Sequence, residues 1–397
     1  MEKKETFIRV GTTLYKIVDQ PRIDGGYVRK RIAWNSETLR QDYGKDYMAS
    51  VPKYDGFCTV PDHVGYQPVV GKSLNLYEPI NHQPQEGAFS CIRSLVEHIF
   101  GEQYELGMDY LQLLYLYPIQ KLPILLLVSE ERNTGKSTFL NFLKAVFQNN
   151  VTFNTNEDFR SQFNSDWAGK LLIMVDEVLL NRREDSERLK NLSTTLSYKV
   201  EAKGKDRDEI GFFAKFVLCS NNEHLPVIID AGETRYWVRK IMPLQSDDTD
   251  FLQKLKAEIP AFLRFLQHRQ LSTEKESRMW FNPKLLETDA LRKIVRSNRN
   301  RLEIEMAELL LDIMASTGVS SVSLCLNDII PLLVCSQVKV EKSQVRKVVQ
   351  ECWKLAPVSN SLSYTTYQYD YNHECHYSPV RRIGRYYTVS KVQLETL

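Results

Sequence analysis

The stretch "LLLVSEERNTGKSTFLNFLKAVF", Leu125 to Phe147, constrains the fold more than any other. "PILLLVS", Pro123 to Ser129, is an unbroken apolar run of the kind that makes a strand buried on both faces of a parallel sheet. "KSTFLNFLKAVF" puts Phe139, Leu143 and Val146 on one helical face. Between them lies a short polar turn ending in Gly-Lys-Ser. A helix that starts at Gly135-Lys136 aims unpaired backbone N–H groups and the positive end of its dipole at an anion. On that reading Asn133, Thr134, Gly135, Lys136, Ser137 and Thr138 cradle the phosphates of ATP, with Lys136 reaching the β/γ oxygens and Ser137 offering a hydroxyl to Mg²⁺. One position departs from G-x-x-x-x-G-K-[ST]: Glu130 stands where the first glycine belongs.

A phosphate loop predicts a second apolar strand further on that ends in carboxylates. "GKLLIMVDEVLL" supplies it: Leu171 to Val175 form the strand, and Asp176 and Glu177 stand at its C-terminal end, where open α/β sheets place their chemistry. Asp176 would order the Mg²⁺ shell, and Glu177 would act as general base toward the attacking water. A third strand, "KFVLCSNNEHLP", ends in Asn221 and Asn222. Either asparagine can position that water, and an Asn pair after a strand is also ordinary turn chemistry. In "ETRYWVRKI", Arg235 precedes a further apolar strand. It either pairs with Glu233 or Asp230 on its own surface or reaches a neighbouring subunit's nucleotide.

The chain's 397 residues give room for two or three domains. With 43% hydrophobic and 26% charged residues and no apolar run of membrane length, it reads as a cytoplasmic globular protein with no membrane partner. Seven scattered cysteines suit reduced thiols. The cluster His373, Cys375, His376 lacks a second ligand pair and is set aside as a hairpin tip. A net charge of +2 confines any nucleic-acid surface to local patches.

Lys136 with Ser137, Asp176-Glu177, "CSNN" and Arg235 together resemble motifs A, B and C and the arginine finger of superfamily 3 helicases, a branch of the AAA+ ATPases. The likeness is greatest to the poxvirus-type primase-helicases of phages and bacterial mobile elements, and it runs from about Phe7 to Leu244. "FNSDWAGKLLIMVDE" and "ETRYWVRKI" are its most specific stretches. The resemblance implies an α/β fold, an AAA+-type P-loop ATPase core with a five-stranded parallel sheet; the residue patterns on either side add a small β-rich and helical N-terminal region and a C-terminal winged-helix-like domain. It implies a homo-oligomeric ring of six subunits with ATP bound between neighbours, so that Arg235 acts in trans. It also implies an ATP-dependent DNA helicase, the replicative motor of a phage or mobile element, working on single-stranded or forked duplex DNA. No primase carboxylate triad is visible, so any priming activity is expected on a separate primase partner or on a longer precursor of this chain.

The expected boundaries are residues 1–86 for the β-rich N-terminal region, 87–118 for a helical lead-in, 119–245 for the ATPase core, 246–301 for a lid or collar with a basic linker, and 302–397 for the winged-helix-like part. In the core, "YKVEAKGKDRDEIGFFAKF" reads as a hairpin whose tip carries Lys203, Lys205 and Arg207. In the resembled helicases such a hairpin grips DNA phosphates. "FLQKLKAEIPAFLRFLQHR" is an amphipathic helical stretch interrupted at Pro260, and Arg292, Lys293, Arg296, Arg299 and Arg301 crowd the linker after it. The order helix, helix, helix, hairpin suggests a winged helix, with Arg346, Lys347 and Lys354 on its recognition helix and Arg381, Arg382 and Arg385 on its wing. Two other functions use parts of this set: a DNA-binding initiator or loader that hydrolyses ATP without unwinding, and a small-molecule P-loop kinase.

Overall fold

Alternating β-branched and polar residues at the start of the chain build small sheets. The computed structural model describes residues 6–21, 27–159, 167, 169–180, 182–200, 208–230, 232–244, 248–298, 301–335, 340–370 and 377–396. Strands β1 (Phe7–Val10), β2 (Thr13–Pro21) and β3 (Tyr27–Trp34) form an antiparallel meander. Helices α1 (Ser36–Tyr43) and α2 (Tyr47–Ser50) lead to β4 (Lys53–Tyr54), which pairs with β1 in parallel. Phe7, Leu14, Leu39 and Val51 make the core beneath. A second sheet, in the order β5-β7-β6, contains β5 (Gly56–Cys58), β6 (Val69–Val70) and β7 (Ser73–Asn75).

The lead-in is two helices, α3 (Ser90–Phe100) and α4 (Tyr104–Leu116). They are held close by a glycine: a Cβ on Gly107 would meet the Phe100 ring at 2.3 Å. His63, in the loop between β5 and β6, ties the β-rich segment to α4. Its Nδ1 is 2.7 Å from the Tyr115 carbonyl and its Nε2 2.7 Å from the Tyr77 hydroxyl. A carbonyl can only accept, so Nδ1 donates and Nε2 takes the Tyr77 proton. Burial accordingly pulls the His63 pKa down to about 4.

The main sheet has the order β14-β8-β13-β10-β9, every pair parallel. Its members are β8 (Ile124–Val128), β9 (Val151–Phe153), β10 (Leu172–Val175), β13 (Lys215–Ser220) and β14 (Tyr236–Lys240). All residues of β8, β10 and β13 are buried, which is why they read as apolar runs without alternation. Helix α5 (Lys136–Phe147) buries Phe139, Leu140, Phe142, Leu143, Val146 and Phe147. Helix α6 (Arg183–Thr194) carries Glu184 and Asp185 in its first turn, where the helix dipole favours acids. It is followed by the hairpin β11 (Ser197–Val200) and β12 (Asp208–Gly211), paired antiparallel. The tip residues Lys203, Lys205 and Arg207 lie outside the described residues. Helix α7 (Phe251–His268) corrects an expectation, since it runs unbroken through Pro260. Its buried face, including Leu255, Ile259, Phe262, Leu263 and Leu266, supplies packing that outweighs the lost hydrogen bond.

Contacts divide the chain into two units: Met1–Ile228 with Glu233–Arg292, and Ile229–Gly232 with Lys293–Leu397, the division falling inside α8 (Asp289–Ser297). The second unit contains α9 (Arg301–Thr317), β15 (Ser321–Leu324), α10 (Leu326–Cys335), α11 (Lys342–Lys347), β16 (Leu362–Tyr369), β17 (Tyr377–Gly384), β18 (Tyr387–Ser390) and α12 (Lys391–Thr396). It departs from the simple order of three helices and a hairpin. The strand β15 intervenes and pairs antiparallel with β18, while β16 pairs with β17. The third helix widens after Lys347 into a π turn over Val348–Cys352. Among the described residues no helix is long and apolar enough to cross a membrane.

Candidate active site

In a parallel sheet the C-terminal strand ends share one edge, and here three of them carry the polar groups. Between β8 and β10, about 10 Å apart at ordinary strand spacing, lies β13. The loop after β8, the carboxylates after β10 and the asparagines after β13 therefore converge. Ser129 N–H donates to the Ser220 carbonyl at 3.1 Å, and Val178 N–H to the Cys219 carbonyl at 2.7 Å. These bonds tie both neighbouring loops to the end of β13.

The loop turns on two left-handed residues, Asn133 (φ 53°) and Gly135 (φ 79°), the latter being the cap of α5. Glycine adopts this conformation at Gly135 without strain, and asparagine at Asn133 tolerates it better than other residues with a Cβ. Glu130 is not among the residues with positive φ, so its position needs no glycine. The His98 ring lies 3.0 Å from the Thr134 carbonyl, and Leu244 N–H donates to the Asn133 carbonyl at 2.9 Å. Both hold the loop from outside.

Lys136 is buried, and its Nζ donates to the Ser129 carbonyl at 3.1 Å, so it folds back over the loop. Burial lowers its pKa, against the raising influence of neighbouring Asp176 and Glu223. Ser137 Oγ donates to Asp176 Oδ2 at 2.7 Å, joining the start of α5 to the end of β10. Glu177 takes φ 63°, a conformation that costs a residue with a Cβ about 1 kcal/mol or more. In it the carboxylate lies 3.4 Å from Asn221 Nδ2, while the Glu177 carbonyl accepts from Asn156 Nδ2 at 3.2 Å.

The two asparagines part company. Asn222 Oδ1 accepts the N–H groups of His224 (2.8 Å) and Leu225 (2.9 Å), closing a turn, whereas Asn221 faces Glu177. Arg235 lies elsewhere. It precedes β14, at the N-terminal edge of the sheet, one strand length or about 16 Å from the loop edge. There its Nη1 grips both oxygens of Glu233 at 2.8 and 2.7 Å.

Thr138 follows Ser137 in the first turn of α5. Arg346 and Lys347 are exposed in the last turn of α11, and Lys354 is exposed beyond it. Arg382 lies in the β16–β17 hairpin, where its partly exposed side chain pairs with the buried Asp328 at 2.6 Å. In the basic linker Arg292 is paired with Asp289 at 2.8 Å, and Arg299 lies outside the described residues, as do His373, Cys375 and His376. Sequence reasoning passed over Asn156, His98 and Glu223. Each is a lone polar residue whose partner is remote in sequence or of an everyday type, and no spacing rule marks it.

A sequence family described as "Family of unknown function (DUF5906)" matches residues 127–236, the span from β8 to the first residue of β14. No curated protein matches the chain. The apo structure of the NrS-1 C-terminal region (305–718) is similar to it at 19% identity, with a TM-score of 0.57 over 86% of this chain and 84% of that one. An A-form apo structure of the same region gives 18% identity and a TM-score of 0.57, over 88% and 83%. At these identities the likeness establishes a shared mixed α/β fold. A structure of JCV Helicase with a bound small molecule matches over 58% of this chain, with a TM-score of 0.31 and 15% identity.

Proposed function

We propose that the chain is an ATP-hydrolysing motor of the superfamily 3, AAA+ type that translocates on single-stranded DNA and unwinds duplex. The observation that carries this reading is the 2.7 Å contact between Ser137 and Asp176, which joins the loop and carboxylate motifs across an intervening strand. A hydroxyl and a carboxylate side by side are hard oxygen donors, and they suit an ion that keeps most of its waters and shares the substrate's phosphates. Ser137 and Asp176 would hold Mg²⁺, which when bound neutralises charge building up on the phosphates.

The protein groups divide the remaining work. Backbone N–H groups from Asn133 to Thr138 receive phosphate oxygens at the α5 N-terminus. Lys136 exchanges the Ser129 carbonyl for a phosphate, which restores a full counter-charge to its ammonium. Asn221 and Glu177, in direct contact at 3.4 Å, would engage one water together, the amide orienting it and the carboxylate taking its proton. Arg235, a strand length from its own loop, serves a neighbour's nucleotide, and the Glu233 pair parks it until subunits meet. Lys203, Lys205 and Arg207 on the core hairpin, with Arg346 and Lys347, are the proposed DNA contacts, positioning through phosphate rather than reading sequence.

The proposed assembly is a homo-oligomeric ring, hexameric in the resembled helicases, with any primase on another chain or on a longer form of this one. Displacement of a forked duplex with and without ATP tests the motor reading. ATP-dependent displacement, abolished in Lys136→Ala, is expected. DNA-stimulated hydrolysis without displacement would favour the initiator or loader, and turnover unaffected by Lys136→Ala would overturn the site. DNA binding should weaken steeply with salt.

A further inference from the structure

We infer that Glu223 is a positioning residue for nucleotide binding, a buried clasp that holds the entry of the phosphate loop in place of the missing first glycine; this rests on the nucleotide reading above. Glu223 follows Asn221 by two residues and is 3% exposed. One carboxylate oxygen accepts the Glu130 N–H at 3.2 Å, and the other accepts Lys240 Nζ at 3.0 Å. A single side chain thus joins the loop after β8, the turn after β13 and the last residue of β14.

The chemistry argues that this is a built feature. A carboxylate buried beside a polyanion site is adverse in itself and persists only when its oxygens are satisfied. Here an N–H and an ammonium satisfy one oxygen each, and hydrogen bonding to Glu223 raises the Lys240 pKa. The Glu130 N–H is thereby directed toward β13, which leaves the phosphates to the N–H groups at the start of α5. Glu130's own carboxylate is drawn aside too, 3.4 Å from His224 Nε2. The segment carrying the clasp is itself fixed, since Asn222 N–H donates to Ser220 Oγ at 3.1 Å.

A loop entry fixed before ATP arrives lowers the ordering cost of binding. It also gives the Asn221 turn a direct mechanical link to the loop, so a shift at one is felt at the other. Glutamate at position 130 is then tolerated because its backbone is anchored backward and never has to approach the phosphate.

The test is equilibrium titration of the full chain with a fluorescent ATP analogue, alongside steady-state ATPase measurements, on Glu223→Ala, Glu223→Gln and Lys240→Met. Glu223→Ala should raise Kd and KM roughly tenfold with kcat changed less than about threefold, the pattern of lost ground-state binding. Glu223→Gln keeps an oxygen for the Glu130 N–H and should return Kd to within about threefold of wild type. Wild-type Kd in folded Glu223→Ala would overturn the clasp, as would a Glu223→Gln no better than alanine. If the alanine variant does not fold, Lys240→Met decides: a weaker Kd supports the clasp and an unchanged one overturns it. Wild-type protein that binds no analogue, like Lys136→Ala, would instead overturn the nucleotide reading and the clasp with it.

Discussion

Two buried lysines sit at opposite edges of the same sheet. Lys136 opens α5 at the C-terminal edge and Lys215 opens β13 at the N-terminal edge. Both donate to a backbone carbonyl, Ser129 for the first and Pro118 for the second, and burial lowers the pKa of both. Their company differs. Around Lys136 stand Asp176 and Glu223, whereas the charged neighbour acting on Lys215 is another lysine, Lys121. Lys121 in turn caps the Phe212 carbonyl at 2.7 Å and lies 5.0 Å from the Phe212 ring centroid. Burying a lysine does not make a site. At one edge the cation has carboxylates and an open helix terminus around it, and at the other it closes off loop carbonyls that water cannot reach.

The sharpest way to break the contrast is at Arg235, which shares the N-terminal edge with Lys215 yet is assigned to catalysis. Arg235→Ala should cost roughly 10³ to 10⁵ in ATP turnover with nucleotide binding spared. Mixing Arg235→Ala with Lys136→Ala should restore part of the activity, because some interfaces then receive one intact motif from each subunit. Mixtures as dead as their parents would return Arg235 to the role of Lys215, a local structural cation. Next in size, Lys136→Ala should lower turnover by about 10³-fold, the scale for removing a group aimed at developing charge, with the melting temperature nearly unchanged.

Lys215→Ala should do the reverse. It removes a long buried chain and orphans a carbonyl, so chemical denaturation should show a loss of about 2 to 5 kcal/mol, with KM for ATP per folded molecule unaltered.

His63 offers a further probe of the structural side. Its folded pKa of about 4 lies below the unfolded value near 6.5, so the unfolded chain binds the proton first. Its contribution is complete above pH 6.5 and fades by about 1.4 kcal/mol per unit as pH falls toward 4, some 3 kcal/mol in all. Urea midpoints followed from pH 7 to 4 should drop accordingly, and the slope should flatten in His63→Gln. The smallest effect belongs to Glu130→Gly, which should change ATP affinity less than about threefold, since Glu130 needs no positive φ. A gain of tenfold would mean that the side chain itself obstructs the phosphates.

How much of this was legible in the sequence follows from how far each pattern reaches along the chain. Apolar runs ending in polar residues marked β8, β10, β13 and β14 because a strand buried on both faces writes its environment into consecutive residues. Gly135 and the helix after it were legible because apolar residues at helical spacing follow the glycine directly. The four-residue strand β15 was missed, because "SVSL" is too short to show a period and its partner β18 begins more than 60 residues later. Strand order is also nonlocal. Only the tertiary structure set β13 between β8 and β10, turned Asn221 toward Glu177 while Asn222 closed a turn, and put Arg235 a strand length from its own loop. It alone joined Glu223 to Glu130 and Lys240. The sequence by itself determined that β8, β10, β13 and β14 would be strands and α5 a helix, and which polar residues would stand at their ends. The fold decided which of those ends meet, because that depends on pairing between segments whose contacts no local pattern records.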